Sequence, residues 1–143
     1  MSDFYRVLLP LLGLLLGVLP GAVRGEFIDV LDLSARHSPL AERAPLNDVA
    51  RTGDNLVAVG QRGHILYSDY TGGHWQQARV PVSSDLTAVY FPSRAKGWAV
   101  GHDGVILHSA DAGGSWSKQL DGRRIGALLG TVHARGALLA AQR

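Results

Sequence analysis

The sequence predicts an all-β protein built from two four-stranded units and followed by a helical tail. Three observations predict it. Glycine is abundant, 18 residues of 143, against a usual share of about 7%, and no Gly-X-Y period accompanies it. Glycine at that level marks many tight turns between short strands. The middle of the chain also repeats: Gly60-Gln-Arg-Gly-His-Ile-Leu-Tyr-Ser68 aligns with Gly101-His-Asp-Gly-Val-Ile-Leu-His-Ser109 at a constant offset. Gly60 then meets Gly101, Gly63 meets Gly104, Leu66 meets Leu107 and Ser68 meets Ser109. Finally, the runs between the glycines are short and rich in β-branched and aromatic residues, as strands are.

In chain order, residues 1–25 read as a secretory signal peptide. Arg6 precedes an apolar stretch from Val7 to Leu19, shorter than the roughly 20 residues a spanning helix needs. Small residues follow, with Val23 and Gly25 at the −3 and −1 positions of a cleavage site. The expected location is therefore exported, the periplasm in a bacterium. Residues 26–45, with Phe27, Val30 and Leu31 among polar residues and two prolines, read as a short strand or extended leader.

Residues 46–80 form the first unit, with strands expected at Leu46–Arg51, Leu56–Gly60, Gly63–Ser68 and His74–Val80. Residues 81–120 form the second, with strands at Leu86–Phe91, Gly97–Gly101, Gly104–Ser109 and Ser115–Leu120. Gln61-Arg62 and His102-Asp103, each flanked by glycine, have hairpin spacing. Four antiparallel strands in a repeat of about 40 residues are a β-propeller blade. A lone blade cannot cover both of its apolar faces, so blades stack. Two blades are expected to leave both outer faces bare, which favours association, or a truncated propeller with no independent function. Residues 121–143 change character: Ile125, Leu128, Leu129 and Val132 fall at i, i+3, i+4 and i+7, a helical stripe that Leu138 and Leu139 continue less regularly.

The turn before the last strand of the second blade carries a motif. Ser109, Asp111, Gly113 and Trp116 fit Ser-x-Asp-x-Gly-x-x-Trp, which resembles the Asp-box, or bacterial neuraminidase repeat. An Asp accepts hydrogen bonds from the backbone of its own turn, a Ser does likewise, Gly permits positive φ and Trp supplies apolar area. In the first blade Ser68, Gly72 and Trp75 match, but Tyr70 stands at the Asp position and Asp69 is its neighbour. These residues read as structural.

Taken together, the signal segment, the Val57-Ala-Val-Gly60 and Trp98-Ala-Val-Gly101 strands, the Gly-x-x-Gly-x-Ile-Leu hairpins and the turn motif resemble the photosystem II stability and assembly factor-like propellers. The likeness covers Leu46 to Leu120. It implies an exported, seven-bladed, non-enzymatic protein. In a photosynthetic host it implies a thylakoid-lumen location and a photosystem II reaction-centre intermediate as partner; elsewhere it implies an envelope protein. This chain departs from the pattern in offering two blades.

Several function classes are disfavoured by composition. The formal net charge is only +2, and no Lys/Arg run exceeds Arg123-Arg124, so no clustered basic face for nucleic acid is indicated. Cys is zero, which removes disulfides, thiolate metal sites and a cysteine nucleophile. His64, His102 and His108 show no ligand spacing and read as exposed or half-exposed turn histidines. Gly101-His-Asp-Gly104 lacks the Lys-Ser/Thr of a phosphate loop. A fragment of a sialidase-like glycoside hydrolase is the enzymatic alternative. Against it, no arginine sits in an Arg-Ile-Pro context, and the chain's only glutamates, Glu26 and Glu42, precede the repeat. The expectation is a scaffold without catalytic residues, metal or cofactor, binding a protein partner through blade-end loops. Arg51, Arg62, Arg79, Arg94 and Lys96 are the candidate partner-binding residues, and membrane contact is assigned to the signal segment.

Overall fold

A computed structural model describes residues 25–69 and 72–140; the signal-peptide reading and Tyr70 fall on residues outside these. Eight strands form two four-stranded antiparallel sheets, each in sequential order. The first blade comprises β1 (Leu46–Thr52), β2 (Asn55–Gly60), β3 (Ile65–Ser68) and β4 (Trp75–Gln77). The second comprises β5 (Leu86–Tyr90), β6 (Gly97–Gly101), β7 (Ile106–Ser109) and β8 (Ser117–Leu120). Helix α1 (Gly122–Ala140) follows. The fold is all-β, two blades of the propeller type with a C-terminal helix.

The repeat holds down to its irregularities. Register shifts after Leu46 in β1 and after Leu86 in β5, so each inner strand carries a bulge at the matched residues Asn47 and Thr87. The glycines that align, Gly60 and Gly101, end β2 and β6 because no side chain fits there. A Cβ on Gly60 would stand 2.3 Å from the Pro45 carbonyl oxygen, and one on Gly101 2.2 Å from that of Asp85.

Several expected boundaries move. Gly63 and Gly104 belong not to strands but to the 3-10 turns Gln61–Gly63 and His102–Gly104, where Arg62 and Asp103 adopt φ of 55° and 58°. Serine 115 lies in the turn before β8. The fourth strand of the first blade stops at Gln77 instead of Val80, because Ala78, Val80 and Val82 turn into the core. Arg79 there pairs in parallel with Ser115 of the second blade, donating its N–H to the Gly114 carbonyl at 3.3 Å and accepting from the Trp116 N–H at 3.0 Å.

One buried cluster joins the blades. Val57, Val59 and Ile65 from the first join Leu86, Val89, Phe91, Ala99, Val105, Leu107 and Trp116 from the second, with Phe91 and Trp116 edge to face at 5.8 Å. Polar groups on the inner strands fix the register across it. Asn47 donates from Nδ2 to the Leu86 carbonyl at 2.7 Å, and the Val89 N–H donates to Asp48 Oδ2 at 2.8 Å.

The leader is neither a strand nor simply extended. It turns at Asp29–Leu33, where the Asp32 and Leu33 N–H groups bond the Asp29 carbonyl, and forms a 3-10 turn at Ala41–Arg43. Between these it clasps the first blade: the Ala35 N–H donates to Val80, the Ser38 N–H to Gln77 Oε1, and Gln77 Nε2 to the Arg36 carbonyl. Residues directly opposite in a ladder share a face. Ala58 opposes Leu66 and Leu66 opposes Gln77, so the leader lies over the outer face of the first blade, where Ala41, Ala58 and Leu66 are buried. The outer face of the second blade is open, with Tyr90 and Val100 exposed beside half-buried Trp98, Ile106 and His108, while on the outer face of the first blade Val49, opposite Ala58, stays exposed. The expectation of two bare faces is corrected for the first blade, where residues 26–45, without sheet structure, cover the part of the face that holds Ala58 and Leu66.

Replacing Leu107, fully buried between the blades, with Ala should lower the unfolding free energy by about 2–5 kcal/mol in chemical denaturation. Glycine substitutions should diverge in sign. Gly101→Ala should destabilise, whereas Gly126→Ala, where a Cβ meets nothing within 4 Å, should stabilise by about 0.5–1 kcal/mol.

Candidate partner-binding surface

The turn motif of the second blade is a closed hydrogen-bond system. Ser109 Oγ donates to Asp111 Oδ1 at 2.9 Å and accepts from the Gly113 N–H at 3.0 Å. Asp111 Oδ1 also accepts the Ser115 N–H at 2.9 Å, its Oδ2 the Ser115 hydroxyl at 2.6 Å. Trp116 Nε1 donates to the Gly113 carbonyl at 2.9 Å. Gly113 has φ of +97°, and a Cβ there would meet Val57 Cγ2 at 2.7 Å. The turn thus rests on the first blade. Burial raises the Asp111 pKa, but the bonds from Ser115 and Ser109 outweigh it and hold the carboxyl below the usual carboxylate range. The first-blade counterpart is looser: Ser68 Oγ donates to the Asp69 carbonyl at 2.8 Å, the Gly72 N–H to the same carbonyl at 3.1 Å, and Trp75 is half-buried. The carboxylate of the second-blade motif is fully occupied within its own turn, so its role here is to hold the turn.

The five basic candidates are distributed over the molecule. Arg51 is the penultimate residue of β1, and Arg94 and Lys96 sit in the β5–β6 loop at the same end of the blades. There Arg94 pairs with Asp54 at 3.6 Å and its carbonyl accepts from the Thr52 hydroxyl. Arg62 lies at the opposite end, in the β2–β3 turn, its N–H bonded to Asp85 Oδ1 at 2.7 Å. Arg79 is held between blades by its backbone. Arg51, Arg62, Arg79 and Lys96 are exposed and make no ion pair among the described residues.

Arg62 acquires neighbours that sequence reasoning missed. The leader passes beside its turn and leaves an open groove of about 840 Å³ lined by Leu33, Arg36, His37, Arg62, His64 and Ser83, among others. Two guanidinium-bearing residues and two histidines meet there with no Asp or Glu in the lining. His64 is not the exposed turn histidine expected: it is only 7% exposed, because Gly63 and its turn fold it under the leader. Burial, and to a lesser degree the nearby Arg62, push its pKa down against the Arg36 backbone bond that favours the cation. Its Nδ1 has no partner. No local pattern announces this groove, since Arg36 and Arg62 come together only through the long-range clasp.

A second missed cluster anchors the leader to the far blade. Lys118 Nζ donates to the Leu31 carbonyl at 2.6 Å and pairs with Asp121 at 2.9 Å; Arg123 meets both Asp32 oxygens at 2.7 Å. Asp121 caps α1 by accepting the Arg124 N–H at 3.0 Å. That bond first, and then Lys118, lower its pKa to about 2, while Arg123 lowers that of Asp32. An Asp four residues before an apolar helical period is a legible cap signal; its ion pairs are not.

Sialidase chemistry finds no support in this arrangement. The Tyr67 hydroxyl donates to Gln76 Oε1 at 2.9 Å, an amide oxygen and not the carboxylate that a tyrosine nucleophile needs. His108 stacks on Trp98 at 4.8 Å. Among the described residues no three His, Asp or Glu side chains converge.

The family model of the photosynthesis system II assembly factor YCF48 matches residues 37–135. Among solved structures, one described as YCF48 bound to D1 peptide is similar at 25% identity and a TM-score of 0.48, over 55% of this chain and 27% of that one. The chain thus spans about a quarter of the length of that relative. No curated protein matches it.

Stability should fall with acid over two pH ranges. The depressed His64 pKa gives stability that is complete above about pH 6.5 and lost as pH falls through the lower folded value. The depressed Asp121 adds stability present above the usual carboxylate pKa and lost as pH falls toward about 2. The Tm against pH should show both declines, and His64→Gln should remove the first alone. Gly113→Ala should lower stability by about 1–2 kcal/mol from its left-handed φ alone.

Proposed function

Since this chain belongs to the YCF48 family of photosynthesis system II assembly factors, we propose that it is a non-catalytic, exported scaffold. Its partner is a protein segment of a photosystem II reaction-centre intermediate, held during assembly. Export follows from the reading of residues 1–25 as a signal peptide. The single observation that carries the binding surface is the groove that Arg36, Arg62 and His64 line together with no Asp or Glu in the lining. An extended segment bearing a carboxylate matches it, because guanidinium groups pair with carboxylates bidentately. Arg62 is a blade-end residue held in a defined turn by Asp85, so its position is fixed before a partner arrives. Preorganisation of that kind lowers the cost of binding.

A fluorescently labelled D1 peptide titrated with the full-length protein tests the reading. Saturable binding is expected, weakened about 5–10-fold by Arg62→Glu and by Arg36→Glu, while Arg51→Glu at the opposite blade end leaves it unchanged. No saturation, or equal loss in all three variants, would contradict the assignment. Clear glycosidase turnover would contradict the non-catalytic reading.

A further inference from the structure

The helix α1 carries an apolar stripe that the fold does not use. Ile125 is half-buried against the His102–Gly104 turn, its Cδ1 3.2 Å from where a Gly104 Cβ would stand. Beyond it the helix stands clear of the blades: Leu128, Leu129 and Val132 are 56%, 65% and 69% exposed, and a Cβ on Gly126 or Gly130 meets nothing within 4 Å. At 100° per residue these apolar side chains share one narrow face, with Arg124 and Arg135 along one edge and His133 along the other. The opposite face bears Ala127, Gly130 and Ala134. Arg123, also opposite, is engaged by Asp32.

Charge identifies what covers the stripe. Residues 122–143 contain no Asp or Glu, while Arg123, Arg124 and Arg135 are cationic. No helix among the described residues is long and apolar enough to cross a membrane. An apolar stripe edged by arginines on a helix that does not span is the pattern of an interfacial helix: the stripe enters the acyl boundary and the arginines stay at headgroup level. We propose that α1 docks this protein, in the plane of the interface, on an anionic lipid surface. The contact is distinct from the groove at Arg62 and from residues 1–25, and it holds whether or not the groove binds peptide.

The chain has no cysteine, so a single introduced thiol reports one position. Full-length Leu129→Cys and Ala127→Cys, each carrying an environment-sensitive fluorophore, are mixed with vesicles of phosphatidylcholine containing 30% phosphatidylglycerol. The label at 129 should shift to the blue and become quenchable by a bilayer-depth quencher, while the label at 127 should not. Neutral phosphatidylcholine vesicles should give a much smaller change. Reversing Arg124 and Arg135 to Glu should weaken the response of the 129 label ~10-fold or more, with the far-ultraviolet dichroism of the blades unchanged. Equal responses at 127 and 129, or none, would overturn the proposal. So would a blue shift without vesicles that grows with protein concentration, which would assign the stripe to a second copy of the chain. Residues 1–25 cannot mimic the expected result, because lipid contact through them would not distinguish the two labels.

Discussion

Val57, Val59 and Ile65 of the first blade and Leu86, Ala99, Val105 and Leu107 of the second share one buried cluster, each 0% or 1% exposed. A four-stranded sheet of this size has little apolar area to bury within itself, so each blade owes its stability to the face it presents to the other. The remaining features follow from keeping those faces in register. The bulges at Asn47 and Thr87 curve the inner strands, Asn47 and Asp48 stitch β1 to β5, and the Gly113 turn rests against Val57. The Arg79–Ser115 bridge ties the end of one blade to the start of the last strand of the next.

The repeat was legible because its glycines report close backbone approach rather than flexibility. Gly60 and Gly101 each sit against a carbonyl oxygen, a constraint that recurs once per blade and so leaves a period in the sequence. The hairpin links were read two residues too short, since Arg62 and Asp103 take left-handed φ that hairpin spacing alone does not reveal. The fourth strand of the first blade was read too long, since β-propensity at Arg79 and Val80 could not show that the chain there serves the core between blades.

The leader and the tail fail the sequence in opposite ways. The leader has no period, yet Leu31, Ala35 and Ala41 are buried through bonds to Gln77, Val80 and Lys118 that lie far away in the chain. Its groove, with Arg36, Arg62 and His64, was invisible for the same reason. The tail has a clean helical period, and the usual inference from such a period is burial against the body of the protein. Here the helix forms but the stripe stays exposed, because only Ile125 reaches the neighbouring turn. Periodicity indicated the helix and carried no information on what its stripe meets.

The account stands on the two blades forming one cooperative unit through their shared face. Native-state hydrogen exchange on the full-length protein measures this most directly. The amides of Val57 and Val59 in β2 and of Ala99 and Leu107 in β6 and β7 should exchange through one opening, with the same free energy and the same denaturant dependence. Exchange of one blade ~10-fold or more faster, through an opening that leaves the other protected, would contradict it.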